Sequence, residues 1–189
     1  MKTFKQFLKE AKQLKEYVIT TNYKRGEFGW WWTIILGNED IDGKVYDGDL
    51  DCSKQKLTSL KGCPKIVKGS FNCSDNKLTS LEYVPNEIQE DFNCGWNDLS
   101  SIKGSPQKVG GYFICDHLDI TTLEGCPEKI NGDFVCSWNK LKTLKYSPKK
   151  ISGDFVCKYS LLNLDRKEID DFKQKIKDKK VIIGGYFSY

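Results

Sequence analysis

Between residues 50 and 164 the apolar positions fall into columns that recur at one fixed interval without insertion. Cys52, Cys73, Cys94, Cys115, Cys136 and Cys157 form one column and display the interval. Leu57, Leu78, Leu99, Ile120, Leu141 and Leu162 form a second, and Leu60, Leu81, Ile102, Leu123 and Leu144 a third. Phe71, Phe92, Phe113, Phe134 and Phe155 form a fourth, with Leu50 in the first place, and Val67, Ile88, Val109, Ile130 and Ile151 a fifth. Turn formers keep the same period: Pro64, Pro85, Pro106, Pro127 and Pro148, and Gly69, Gly111, Gly132 and Gly153 with Glu90 as the exception. A strict period of this length predicts a solenoid, because no single coil can bury its apolar face and stacked coils share one continuous core.

Within a coil, Phe92-Asn93-Cys94 alternates apolar, polar, apolar, the periodicity of a short strand with Phe and Cys inward and Asn outward. The Leu-x-x-Leu step turns a corner, and proline three residues before a β-branched residue suits an extended return segment that cannot continue a helix. The predicted fold is therefore a mainly β repeat solenoid of six coils built on one parallel sheet.

The pattern Phe-x-Cys-x-x-Asn-x-Leu-x-x-Leu, seen as FNCSDNKLTSL from Phe71 to Leu81, resembles the leucine-rich-repeat consensus. The x-x-Pro-x-x-Val/Ile return segment looks most like the short repeats of bacterial effector leucine-rich proteins. The resemblance implies an asparagine ladder tying backbone groups together at the bend after each strand, formed here by Asn76, Asn97 and Asn139. Gln55, Leu118 and Ser160 stand in the same column, so the ladder should be interrupted at the fourth coil and weak at both ends.

The flanks read differently. Phe4, Phe7, Leu8, Ala11, Leu14 and Val18 fall mainly at helical spacing and predict an amphipathic helix over residues 1–18. Residues 19–49, with Trp30, Trp31, Trp32, Ile34, Ile35 and Leu36, predict a buried strand that caps the first coil. Asp165 to Lys180 predicts a helix with Asp165 as N-cap and Ile169, Phe172 and Ile176 on one face. Ile183-Gly184-Gly185-Tyr186-Phe187 then repeats Val109-Gly110-Gly111-Tyr112-Phe113, so a last strand should rejoin the sheet, with residues 165–189 sealing the C-terminal end.

The opening MKTFKQFLKEA resembles the capsid-targeting leader of internal head proteins in T-even-like bacteriophages. In that family a prohead protease cuts after a Leu/Ile-x-Glu triplet, which Leu8-Lys9-Glu10 followed by Ala11 matches; Leu14-Lys15-Glu16 offers a second match. The resemblance implies packaging into the phage head and later delivery to the host cytoplasm, where the repeats would bind a host protein. The alternatives are a structural or assembly protein retained in the head and bound to its components, or an early phage protein that acts in the host without being packaged.

Composition narrows the chemistry. A formal charge of +4 with acidic and basic side chains interleaved makes no basic stripe, so no nucleic acid partner is expected. No apolar run is long enough to predict a membrane helix. The cysteines include no Cys-x-x-Cys pair of the kind a structural zinc site uses, and on an inward strand face they read as reduced core filler, so no metal or other cofactor is expected. Cys63 and Cys126, in Gly-Cys-Pro corners, are candidates for partial exposure. His117 is the one histidine and nothing nearby marks a nucleophile or an oxyanion hole, so the chain reads as no enzyme.

Variation among outward positions is where a repeat protein encodes specificity. Two residues after each column cysteine stand Lys54, Asp75, Trp96, His117, Trp138 and Tyr159, and between Phe and Cys stand Asp51, Asn72, Asn93, Ile114, Val135 and Val156. Trp96, His117, Trp138, Tyr159, Tyr112, Ile114, Val135 and Val156 are the candidate partner-binding residues on a concave face, with Asp91, Asp133 and Asp154 as an acidic flank. The competing role for the aromatic row is to stack ring on ring and stabilise the sheet. A monomer that binds a protein is the expectation.

Overall fold

A computed structural model describes Lys2, Thr3, Gln6, residues 44–162 and residues 164–189. The expected cap with its three tryptophans and the processing residues Leu8, Glu10 and Ala11 lie outside the described residues. Lys2–Thr3 form a strand pairing in parallel with Leu57–Ser59, where the start of a helix was expected. The strand Leu57–Ser59 at the coil corner offers backbone groups that an extended segment can bond and a helix cannot.

Among the described residues two seven-stranded parallel sheets run the length of the solenoid. The first stacks Leu50–Asp51, Phe71–Asn72, Phe92–Asn93, Phe113–Ile114, Phe134–Val135, Phe155–Val156 and Phe187–Ser188 in chain order. The second is a correction to the single sheet expected. The return segments pair as well, from Val45–Tyr46 through Ile66–Val67, Glu87–Ile88, Lys108–Val109, Lys129–Ile130 and Lys150–Ile151 to Ile182–Ile183. Proline has no N–H to give a ladder, but it stands two residues before each of the five middle strands and so removes none of their donors.

Register is strict. Phe71, Phe92, Phe113, Phe134 and Phe155 sit one above another, fully buried, with ring centroids 6.0, 5.1, 5.5 and 5.2 Å apart. The six column cysteines are buried beside them. Removing one such phenylalanine ring would cost about 3–5 kcal/mol, a large part of the stability of an ordinary domain. The leucine column departs once: Leu162 is 80% exposed and Leu161 is buried instead, because the sixth coil leaves the common path to enter a helix.

That helix, α1 (Arg166–Lys177), starts at Asp165, whose side chain accepts the Lys167 N–H. Phe172 packs edge-on against Phe155 and Phe187, with Ile169 and Ile176 partly buried beside the core. Glu168 Oε1 accepts from Thr143 Oγ1 and the Leu144 N–H, tying the helix to the fifth coil. The last strand then resumes the stack, with the Tyr186 N–H on Asp154 Oδ1 across 32 residues.

A side-chain ladder of aspartates precedes four of the seven strands of the first sheet. Asp49 accepts the Ser70 N–H, Asp91 the Tyr112 N–H, Asp133 the Asp154 N–H and Asp154 the Tyr186 N–H, at 2.7 or 2.8 Å. The expected acidic flank is therefore a half-buried structural element. Each carboxylate lies where a Cβ would stand on Gly69, Gly111, Gly153 or Gly185 of the next coil, which is why that column is glycine. Glu90 breaks the column where the preceding ladder residue is Ser70, whose smaller hydroxyl accepts the Asp91 N–H and leaves room for a side chain.

Gly153→Ala should accordingly lose about 1–3 kcal/mol through the clash with Asp133. In an Asp133→Ser background the loss should shrink by at least about 0.5 kcal/mol. Urea denaturation of the two single variants and the double variant measures this coupling; strictly additive losses would contradict the steric account.

Candidate functional site

The outward column of the first sheet is Asp51, Asn72, Asn93, Ile114, Val135 and Val156, all half-buried and in register from coil to coil. Successive members stand about 4.8 Å apart, the spacing of hydrogen-bonded strands. The first three hold the turn after their own strand: Asp51 accepts the Ser53 N–H, Asn72 the Ser74 N–H and Asn93 the Gly95 N–H. Asn72 Nδ2 also donates to Asp51 Oδ2 at 3.2 Å. Ile114, Val135 and Val156 make an apolar stripe that continues this column.

Lys54, Asp75, Trp96, His117, Trp138 and Tyr159 lie not on the strands, where the sequence reading places them, but in the turn that follows. Each has a left-handed backbone, with φ between 51° and 60°. The coil needs that conformation to bend after a two-residue strand, and a non-glycine residue there costs about 1–2 kcal/mol. A tryptophan or tyrosine in such a place must be offset by something, and the rings supply it. Trp96 stacks on His117 at 3.8 Å, His117 on Trp138 at 5.5 Å and Trp138 on Tyr159 at 4.2 Å, with interplanar angles of 14–25°. Stacking and exposure coexist: Trp96, Trp138 and Tyr159 remain 57, 52 and 54% exposed.

His117 is oriented from behind. Its Nδ1 lies 2.9 Å from Asp116 Oδ2, and the Asp116 carboxylate occupies the space a side chain on Gly95 would fill. Among the described residues His117 hydrogen-bonds to no side chain other than Asp116. Since neighbouring rings cover one another, the row offers ring edges along its length and open faces only at its two ends. A run of bases stacked between the rings has no place there.

The expected asparagine ladder is present. Asn97 Nδ2 donates to the carbonyls of Cys73, Cys94 and Gly95 while its Oδ1 accepts the Leu78 N–H, and Asn76 and Asn139 donate in the same way. Leu118 interrupts it at the fourth coil, as expected, and Asn139 Oδ1 has no hydrogen-bond partner among the described residues. At the C-terminal end the expected weakness is repaired: Ser160 Oγ accepts the Asn139 N–H and donates to the Cys136 carbonyl. Burial pushes the Cys52, Cys73, Cys94, Cys115 and Cys136 thiols up, keeping them protonated and unreactive. Cys63 is buried and Cys126 is partly exposed.

Two features went unread in the sequence. One is the left-handed turn, masked because its column holds aromatic residues and not Gly or Asn. The other is a cavity of about 490 Å³ over the polar half of the outward column, walled by the turn residue Lys54 on one side and by Asp91 and Tyr112 on the other. The aspartate ladder had a visible signal: Asp49 and Gly69, Asp91 and Gly111, and Asp133 and Gly153 each stand one position short of a full period apart, and Ser70 with Glu90 departs at both places together.

In comparison with known proteins, the chain matches no family model, no curated protein and no solved structure. Among the described residues no helix is long and apolar enough to cross a membrane.

Trp138→Ala and Trp138→Gly separate the two contributions to the row. Both lose the stacking on His117 and Tyr159, but only glycine also relieves the left-handed backbone at φ 57°. Trp138→Gly should therefore be the more stable of the two, by about 1 kcal/mol in urea denaturation. The reverse order would contradict the strain assigned to this turn.

Proposed function

We propose that the solenoid is a non-enzymatic recognition module that binds a protein along the outer face of its first sheet. The observation that carries this reading is the ridge of stacked, half-exposed rings beside the stripe of Ile114, Val135 and Val156. Rings held rigid by their neighbours lose little conformational entropy on binding, and aromatic anchors next to aliphatic surface are the usual centre of a protein-binding hot spot. Tyr112, 48% exposed, extends the same surface across the sheet.

The leader resemblance supports a more specific setting. With Leu8-Lys9-Glu10 before Ala11, the chain is a phage internal head protein, packaged, trimmed and delivered to the host cytoplasm, where the face meets a host protein. A role in the head itself, or early action in the host without packaging, would use the same face on a different partner.

With the full chain as bait in a bacterial lysate, Trp96→Ala combined with Trp138→Ala should weaken retention of the specific partner by about 2 kcal/mol or more, roughly thirtyfold. Unchanged retention would make the row purely structural. Mass spectrometry of purified virions tests the setting: a chain beginning at Ala11 or Tyr17 is expected, whereas an untrimmed chain removes the processed leader from the account and absence from the particle removes packaging.

A further inference from the structure

We infer that the cavity over the first four coils is a second ligand site, for a neutral, polyhydroxylated ring: a monosaccharide or disaccharide unit. It does not rest on the protein-binding reading, and it shares Tyr112 and Ile114 with that face but none of the rings of the aromatic row. Its volume of about 490 Å³ falls within the range of small-molecule sites, roughly 300–1,000 Å³.

The floor of the cavity is Asp51, Asn72 and Asn93, one per coil. Asp51 Oδ1 and the carboxamide oxygens of Asn72 and Asn93 are already taken by the turns, which fixes the side chains before any ligand arrives. On the carboxamides, donors are what remain. Asn93 Nδ2 has no partner among the described residues, Asn72 Nδ2 uses one of its two hydrogens on Asp51, and Lys54 lines the wall. A ligand ammonium or guanidinium could donate to the carboxylates of Asp51 and Asp91, but it could accept none of the carboxamide bonds and would face the Lys54 ammonium. An anionic ligand would meet the carboxylates of Asp51 and Asp91, one in the floor and one in the opposite wall. A neutral, oxygen-rich ligand accepts from the carboxamides and donates to the remaining carboxylate lone pairs.

Shape decides between the neutral candidates. An extended peptide repeats its carbonyls on one side every two residues, about 6.6–6.8 Å, against about 4.8 Å between neighbouring carboxamides, so it cannot serve both in register. A sugar ring carries hydroxyls around one compact edge and a flat C–H face. Tyr112 lines the cavity next to Ile114 with one edge of its ring over Gly132 of the following coil, and its exposed ring is the surface proposed for such a face.

Saturation-transfer difference NMR on the full chain, with maltose, cellobiose and diacetylchitobiose as probes at millimolar concentration, tests the site. At least one probe should receive saturation. Asn93→Asp keeps the oxygen that accepts the Gly95 N–H and removes both donor hydrogens, so the turn survives while binding falls about tenfold. Tyr112→Ala should weaken the signal comparably, and Trp138→Ala, outside the cavity, should leave it unchanged. Absence of transfer from all three probes, or transfer that Asn93→Asp and Tyr112→Ala leave intact, overturns the assignment. Neither result bears on partner capture through Trp96 and Trp138.

Discussion

In the first sheet Cys94 N donates to the Ile114 carbonyl of the coil that follows at 2.9 Å, and in the second sheet Gly110 N donates to the Ile88 carbonyl of the coil before at 3.0 Å. Both ladders close only if every coil has the same length. A single added residue would advance one sheet by one position relative to the other and turn its side chains to the opposite face. From this constraint follow the phenylalanine stack, the buried sulfurs, the asparagine and aspartate ladders and the aromatic row. The one enlargement of the repeat, in the sixth coil, goes into a corner, where helix α1 bulges out between two strands that still find their register.

Much of this was legible in the sequence because the same period appears in every column at once. The strand of Phe, outward residue and Cys, the asparagine ladder with its break at Leu118, the N-cap at Asp165 and the returning strand at Phe187 all follow from periodicity and capping chemistry. The second sheet was not legible, since a two-residue strand beside a proline reads as extended connection whether or not its backbone is paired. Leu162 misled because it kept the period after the chain had begun to leave it.

The candidate face shows where local rules fail for a reason. Placing Trp96, His117, Trp138 and Tyr159 in a left-handed turn contradicts residue preference. Stacking at 3.8–5.5 Å compensates through neighbours a whole coil away in the chain, information that no local window contains. The same arrangement sets the chemistry of the row, because rings that cover each other recognise a partner by their edges. In the polar half of the sheet, where the turn column holds Lys54 and Asp75 in place of rings, a cavity opens, so one register column gives two surfaces of different character.

The central claim is that these coils stack at equal length, with both sheets paired coil to coil in strict register. Scalar couplings transmitted through hydrogen bonds, measured by NMR between amide nitrogens and carbonyl carbons, report that pairing directly. They should connect the amides of Cys94 and Cys115 forward to the carbonyls of Ile114 and Val135, and those of Gly110 and Ser152 back to the carbonyls of Ile88 and Ile130. Couplings between any other partners, or a first sheet that pairs while the second does not, would contradict the stacking on which both proposed binding surfaces depend.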